Sequence, residues 1–269
     1  MITIETLEVS GLEGAIKGMR NPFKNREVSD SGWQQSDDGD SLFNFVIGEK
    51  DMALCHKLLS GGDDDSKFLR FIHVQADINA PLYWWKEYDT YKVSTVANSE
   101  STMHTLTKRE FTLEDFSYDG YSEYWESVVK ELNVMRQLFL EAKAKEKGSL
   151  EAYEYWRQMI QMLPSSYMQK RTVDLNYQTL RRIFKARKNH RLNEWNKGFI
   201  DWMATLPYAE ELIMYEPPKT VTGIDLKKFF EERQRLRAEG MTDEEIANHF
   251  CMYTPFYRLA CALSNQESF

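Results

Sequence analysis

The amino-acid sequence predicts an α+β fold, because strand-like and helix-like periodicities both occur along the chain. Residues 2–9 alternate apolar and polar side chains, and residues 67–78 alternate with one apolar face, which is typical of half-buried strands. Residues 123–147 instead repeat apolar side chains at helical spacing and are followed by Gly148, which indicates a long helix. We therefore expect a sheet accompanied by long helices.

Three further segments repeat apolar side chains at helical spacing: residues 47–59, 150–163 and 193–207. Between the last two lies the stretch from Leu163 to Arg187, which we expect to organise the molecule. It crosses a short polar extended segment and then enters a helix.

The helix within this stretch is predicted to begin near Asn176. Its apolar side chains fall at helical spacing, and polar Asn176, Thr179 and Arg182 recur at intervals of three residues. This spacing predicts one polar face, which Arg187 extends.

The same stretch is rich in positive charge. Its five cationic side chains are Lys170, Arg171, Arg181, Arg182 and Arg187. Because the whole chain has a formal net charge of -8, such a cluster indicates an anion site. Arg187 is the strongest candidate, since a guanidinium can bind a phosphate or the carbonyl edge of a pyrimidine through paired hydrogen bonds. The alternative is an ion pair between helices, with Glu194 or Asp201.

Composition limits the classes of protein to consider. With 269 residues, 42% of them apolar, the chain can form one large domain or two small ones. Its acidic balance argues against a protein whose whole surface follows nucleic acid, although it allows a local basic patch. Sequence motifs of hydrolases, kinases and simple metalloenzymes are missing, so we expect no metal site.

Cysteine usage and hydropathy indicate a compartment. The three cysteines form no CxxC pair, which favours a reducing cytoplasm over a disulfide framework. No basic-then-apolar leader opens the sequence, and no window approaches ~18 uninterrupted apolar residues. We expect a cytoplasmic protein without a membrane partner.

The stretch from Leu163 to Arg187 resembles the C-terminal signature of the flavin-dependent thymidylate synthases. In that family Leu-Pro is followed by Asn-x-Arg-Ser-Leu and then by Leu-Arg. The matching positions here, without a gap, are Leu163, Pro164, Asn176, Thr179 in place of Ser, Leu180, Ile183 and Arg187. Gln178 stands where the family has Arg.

A second family motif resembles the region after Ala80-Pro81 more weakly. Lys86-Glu87 occupies the position of the family's Arg-Gln, and Thr90-Tyr91-Lys92 occupies that of its Arg-His-Arg. After a shift of two residues, Glu100 meets a Glu of the motif, Thr102 a Ser and His104 an Arg. The alternative for this second region is an ordinary surface loop.

The resemblance implies a set of site residues. Nucleotide-binding residues would be Glu100, Ser101, Thr102, His104 and Arg187, and Arg187 would also be catalytic by polarising the pyrimidine. Residues that bind the cofactor FAD would be Lys92, Asn176, Gln178 and Arg182. Aromatic side chains near Tyr91 could stack on a flavin or a base, but such side chains on helices are more often core.

The resemblance also implies an organisation: a flavin-dependent thymidylate synthase-like domain with a mixed sheet and long helices at residues 1–213, and a linker with a helical extension at 214–269. The family builds its sites between subunits, so a homotetramer is expected. The extension looks weakly like the start of a helix-turn-helix; its alternative is a helical tail packed on a neighbouring subunit.

Three functions remain open from the sequence. The chain could methylate a dUMP-like pyrimidine deoxynucleotide with FAD and a folate. It could instead be a non-catalytic nucleotide-binding or regulatory protein on the same scaffold. It could also bind nucleic acid through its C-terminal tail.

Overall fold

The computed structural model describes residues 2–35, 43–91, 93–217, 223–242 and 245–246. By its internal contacts the chain divides into two compact units, Met1–Glu216 and Pro217–Phe269. None of the helices in these described ranges is long and apolar enough to cross a membrane.

Strands and helices are interspersed along the first unit. In chain order they are β1 (Thr3–Ser10), α1 (Leu12–Met19), β2 (Gly32–Gln35), β3 (Phe43–Val46), α2 (Glu49–Gly61), β4 (His73–Pro81), α3 (Leu82–Tyr88), β5 (Thr95–Ser99), α4 (Thr102–Thr105), α5 (Ser122–Lys145), α6 (Leu150–Met162), β6 (Met168–Asn176), α7 (Tyr177–Arg187) and α8 (Ile200–Met203). Short π-helical turns at Glu194–Phe199 and Ala209–Ile213 flank α8, and the second unit contributes α9 (Gly223–Ala238).

Four strands form the main sheet in the order β1-β4-β6-β5, and each neighbouring pair is antiparallel. β2 and β3 form a separate antiparallel pair. The α+β class predicted from the sequence is therefore confirmed, but the sheet is antiparallel rather than mixed.

The two faces of the main sheet differ. Val74, Ala76 and Ile78 of β4 are fully buried and pair in register with Leu175, Val173 and Arg171 of β6. The alternate residues carry polar side chains, as expected for an antiparallel sheet with one solvated face. We call these the covered face and the polar face.

Helix α3 packs on the covered face. Trp84 and Trp85 of α3 are fully buried, and the indole nitrogen of Trp85 donates to the Gln169 carbonyl of β6 at 2.9 Å. The ring of Trp84 lies 4.7 Å from that of Trp195 and 5.4 Å from that of Phe199. These aromatic side chains form the centre of the core and fix α3 against the chain after α7.

The start of β4 differs from the sequence prediction. The alternating pattern predicted a strand from residue 67, but Asp65–Phe71 forms a 3₁₀ helix and β4 begins at His73. Phe68 and Leu69 are both buried although they are adjacent, while Phe71 is 59% exposed. A strand would place adjacent side chains on opposite faces, so burial of two neighbours favours the helical turn.

Candidate functional site

The candidate site begins where β6 passes into α7. Asn176 is the last residue of β6, and its side-chain oxygen accepts a hydrogen bond from the Thr179 amide at 3.0 Å. This contact caps the first turn of α7, which the sequence predicted to start near this residue. Asn176 and Thr179 are both buried, so their side chains are committed to the fold.

Gln178 is buried and has partners at both ends of its amide. Its nitrogen donates to the Asp63 carbonyl at 2.9 Å, and its oxygen accepts from the Arg70 guanidinium. The side chain thus joins α7 to the turn after α2. Both polar atoms of the Gln178 amide are therefore engaged within the fold.

Arg181 and Arg182 are neighbours with opposite environments. Arg181 is 2% exposed and donates to the carbonyls of Ile213 and Tyr215 at 3.2 and 2.5 Å, and burial lowers the pKa of its guanidinium. Arg182 is exposed and has no hydrogen bond or ion pair within the described ranges. The single polar face predicted for α7 is therefore wrong: Asn176 and Thr179 are buried, while Arg182 faces solvent.

Arg187, at the end of α7, is held by three side chains. Its Nη1 lies 3.0 Å from Oε2 of Glu87, and its Nε donates to the Tyr91 hydroxyl at 2.9 Å. Its guanidinium carbon is 5.0 Å from the centre of the Trp195 ring. Nη2 has no hydrogen-bond partner among the described residues. The guanidinium is fixed in orientation and retains one amino group for a ligand.

Glu87 is the centre of this cluster. Besides Arg187, its Oε2 accepts from the Trp195 indole nitrogen at 2.9 Å and lies 3.6 Å from Nε2 of His190. The His190 Nδ1 accepts from the Leu192 amide, so the neutral ring carries its proton on Nε2, towards Glu87.

The ion-pair partner of Arg187 differs from both sequence candidates. The partner is Glu87, whereas Glu194 accepts a hydrogen bond from the Tyr83 hydroxyl. Burial and this bond raise the pKa of Tyr83 to about 12. Asp201 forms no ion pair with Arg187.

A groove of about 580 Å³ lies beside this cluster, at the C-terminal end of α7. Its lining residues are Glu87, Lys185, Ala186, Asn189, His190, Arg191 and Leu192. This volume falls within the ~300–1,000 Å³ typical of small-molecule sites. Lys185 and Arg191 form no ion pair with any described residue, so their charges are available to an anion.

The second group of predicted residues lies at the far end of β5. The Glu100 carboxylate accepts from the Lys170 amide at 3.2 Å, and the Ser101 hydroxyl lies 2.7 Å from Nδ1 of His104. Thr102 begins the short helix α4. Glu100 and Ser101 form the exposed connection between β5 and α4, so both the nucleotide-binding role and the alternative of an ordinary surface loop stay open.

Glu100 lines a cleft of about 650 Å³ on the polar face of the sheet. The cleft contains two cations, and both are paired: Lys170 lies 2.6 Å from Asp77, and Arg109 donates to Asp115 at 2.9 Å. Further carboxylates in its lining are Glu5, Glu100 and Glu114.

Asp115 is the most buried carboxylate of this cleft. Burial by itself would raise its pKa, but hydrogen bonds from Arg109 and from the Thr112 amide bring the pKa below its usual value. Arg109 is therefore engaged in stabilising a buried charge.

The two predicted groups do not meet within one chain. Arg187 contacts α3, which packs on the covered face, whereas Glu100 lines a cleft on the polar face. Glu100 lines the cleft, and the groove is lined by Glu87 rather than by Arg187 itself.

Of the four residues predicted to bind flavin, the three that the structure describes provide little positive charge for a flavin diphosphate. Asn176 and Gln178 are buried and bonded internally, and Lys92 lies outside the described residues. Among the three described residues Arg182 alone offers an exposed charge, and a diphosphate needs several charge-assisted bonds.

The sequence indicated Arg187 but missed Glu87, Trp195 and His190 as its neighbours. Glu87 lies about a hundred residues away in the chain, so no local spacing joins it to Arg187. The one acidic residue of the aromatic-rich helix α3 was the available signal for an ionic contact with the cationic stretch.

Comparison with solved structures identifies the architecture. Thymidylate synthase X (ThyX) from Helicobacter pylori, solved with FAD and dUMP, superposes with a TM-score of 0.59 at 15% identity, covering 82% of this chain and 100% of that one. A second structure of the flavin-dependent thymidylate synthase ThyX from H. pylori, complexed with FAD and dUMP, gives 0.56 at 17% identity, covering 80% and 99%. No protein-family model and no curated protein sequence matches the chain. At these identities the likeness establishes the fold: residues of this chain are arranged as in the flavin-dependent thymidylate synthases.

Proposed function

We propose that this protein binds a pyrimidine deoxynucleotide of the dUMP type, with Arg187 as the principal contact. The observation that carries the proposal is the fixed guanidinium of Arg187, which Glu87, Tyr91 and Trp195 hold beside a groove whose two cations have no ion-pair partner among the described residues. The fold likeness to ThyX, whose structures contain dUMP, supports the same conclusion.

The chemistry of this site suits an anion that carries a flat ring. Lys185 and Arg191 supply positive charge for a phosphate, and a guanidinium over an indole ring is electrostatically stabilised. Arg187 already has a carboxylate partner, so a ligand must share its guanidinium with Glu87 or displace that contact. The site therefore binds through preorganised charge, with a cost for competing with Glu87.

We further propose that the complete site forms between subunits of a homotetramer. Within one chain the groove lined by Glu87, the partner of Arg187, is separate from the cleft lined by Glu100, and association would allow one protomer's groove to meet its partner's Glu100–His104 segment. Sedimentation of the protein at micromolar concentration tests this; a monomer would contradict it.

Catalysis is a second candidate function, and the observation that favours it is the fold likeness to ThyX. When bound, FAD would supply the hydride for methylation with a folate-borne carbon. Because the predicted flavin residues do not fit the cofactor, we assign no step to it.

The proposed function is tested by calorimetric titration of the full chain with dUMP, dCMP and dAMP. We expect at least one of the two pyrimidine nucleotides to bind more tightly than dAMP. Failure to bind either pyrimidine would overturn the proposal.

A further inference from the structure

We propose that Glu216 is an autoinhibitory counter-charge of the groove: its carboxylate lies on the cations of α7 and opposes the binding of an anion beside them. This inference rests on the proposed function and concerns the regulation of the same site. It starts from residues 212–216, the last residues of the first unit, which we call the terminal segment.

Three contacts fix the terminal segment on the first unit. The Arg181 guanidinium donates to the Tyr215 carbonyl at 2.5 Å. The Tyr215 ring stacks on the ring of His56 from α2, with 4.0 Å between the ring centres and 2° between the planes. Lys188, directly after α7, forms an ion pair with Glu216. These contacts hold the Glu216 carboxylate beside the C-terminal end of α7, although its side chain is 58% exposed.

The charge of Glu216 acts on a residue of the groove. A hydrogen bond from Lys188, together with the positive charges of Lys188, Arg181 and Lys185, lowers the pKa of Glu216. The carboxylate is therefore ionised at neutral pH. Lys185 lines the groove, and electrostatic interaction is mutual, so Glu216 offsets part of the positive potential that Lys185 provides there.

The ion pair also keeps one cation out of use. Lys188 immediately precedes Asn189, which lines the groove, but its ammonium group is engaged by Glu216. Loss of the Glu216 charge would release Lys188 and remove the negative potential near Lys185. Both changes favour an anion in the groove.

The position of Glu216 in the chain makes this contact suitable for regulation. Pro217, the next residue, begins the second unit, so tension on the extension would be transmitted to the carboxylate through the chain itself. By linkage, an event that removes Glu216 from Lys188 raises the affinity of the groove for an anion, and anion binding weakens the ion pair.

The test is calorimetric titration of the full-length chain with dUMP at low ionic strength. We expect Glu216→Gln to bind dUMP about threefold more tightly than wild type, as fits the loss of one exposed opposing charge. Glu216→Lys should bind more tightly still, because it places a further cation beside α7. The gain should shrink at high salt, which screens exposed charges.

Glu210→Gln is the matched control. Glu210 is exposed in the preceding turn and forms no ion pair with any described residue, so the variant makes the same change in net charge without releasing Lys188. It should bind dUMP as wild type does. Thermal unfolding of each variant shows that folded proteins are being compared.

The outcomes distinguish this inference from the proposed function. Unchanged or weaker dUMP binding by folded Glu216→Gln and Glu216→Lys would overturn the autoinhibitory contact and leave the nucleotide site intact. Equal gains in Glu216→Gln and Glu210→Gln would also overturn it, because net charge rather than the Lys188 pair would then set the affinity. Failure of wild type and of both Glu216 variants to bind dUMP would overturn the two proposals together.

Discussion

The groove beside Arg187 and the cleft on the polar face contain similar residue types but differ in how their charges are paired. In the cleft, Lys170 and Arg109 each have a carboxylate partner. In the groove, Lys185 and Arg191 have none among the described residues. The availability of positive charge for a ligand therefore differs between two cavities of similar volume.

This difference teaches that counting cations along the sequence does not locate an anion site. Arg171 and Arg181 belong to the cationic stretch, yet Arg171 pairs with Asp89 and Arg181 is buried against carbonyl groups. Charges that neutralise a neighbouring carboxylate or cap a helix are already used by the fold. A cation in the sequence therefore indicates an anion site only where its donors are not all engaged within the fold.

The largest expected effect comes from comparing the loss of Arg187, whose partner Glu87 lines the groove, with the loss of Arg109, which lines the cleft. Arg187→Ala should weaken pyrimidine nucleotide binding by roughly 2–4 kcal/mol, because a charge-assisted contact in a partly desolvated site is lost. Arg109→Ala should leave binding unchanged and lower stability instead, because buried Asp115 loses its partner. Titration and thermal unfolding of both variants measure the contrast. Wild-type affinity in Arg187→Ala would identify the Glu87 pair as purely structural.

The next effect concerns Asp115 and pH. Its folded pKa is lowered, so its ionised form stabilises the fold above the unfolded pKa, and this contribution is lost as pH falls through the folded pKa. Asp115→Asn should therefore cost about 1–2 kcal/mol at neutral pH and much less in acid. Urea unfolding of both proteins at neutral and strongly acidic pH measures this. A pH-independent difference would mean that packing, not charge, makes Asp115 stabilising.

The sequence predicted the elements of the fold more completely than the contacts of the candidate site. Helical spacing identified α2, α5 and α6, because apolar residues recur along each segment at the interval that places them on one face of a helix. The motif resemblance selected Arg187 but gave no indication that Gln178 bonds to Arg70 and Asp63. Such contacts join residues over a hundred positions apart, so no local sequence pattern predicts them.

Removing the two cations of the groove should have a smaller effect on nucleotide affinity. The double change Lys185→Ala and Arg191→Ala is expected to weaken nucleotide binding by about 1–2 kcal/mol in total, since exposed charges each contribute little. The salt dependence of binding should fall as well, because fewer unpaired charges face the ligand. Lys170→Ala in the cleft is the control and should change neither quantity. Equal losses in both variants would remove the distinction between the cavities.

The smallest expected signal is the visible absorbance of bound flavin in the purified protein. Gln178 and Asn176 are enclosed, so a flavin diphosphate placed along α7 would keep Arg182 as its exposed charged contact there. Each missing charge-assisted bond removes about 1.5–3 kcal/mol, so FAD should be lost on extensive dialysis and the purified protein should be nearly colourless. The visible absorbance spectrum before and after dialysis measures retention. Stoichiometric FAD after dialysis would show that a flavin site is completed by groups other than those of α7, and it would move the enzymatic alternative ahead of simple nucleotide binding.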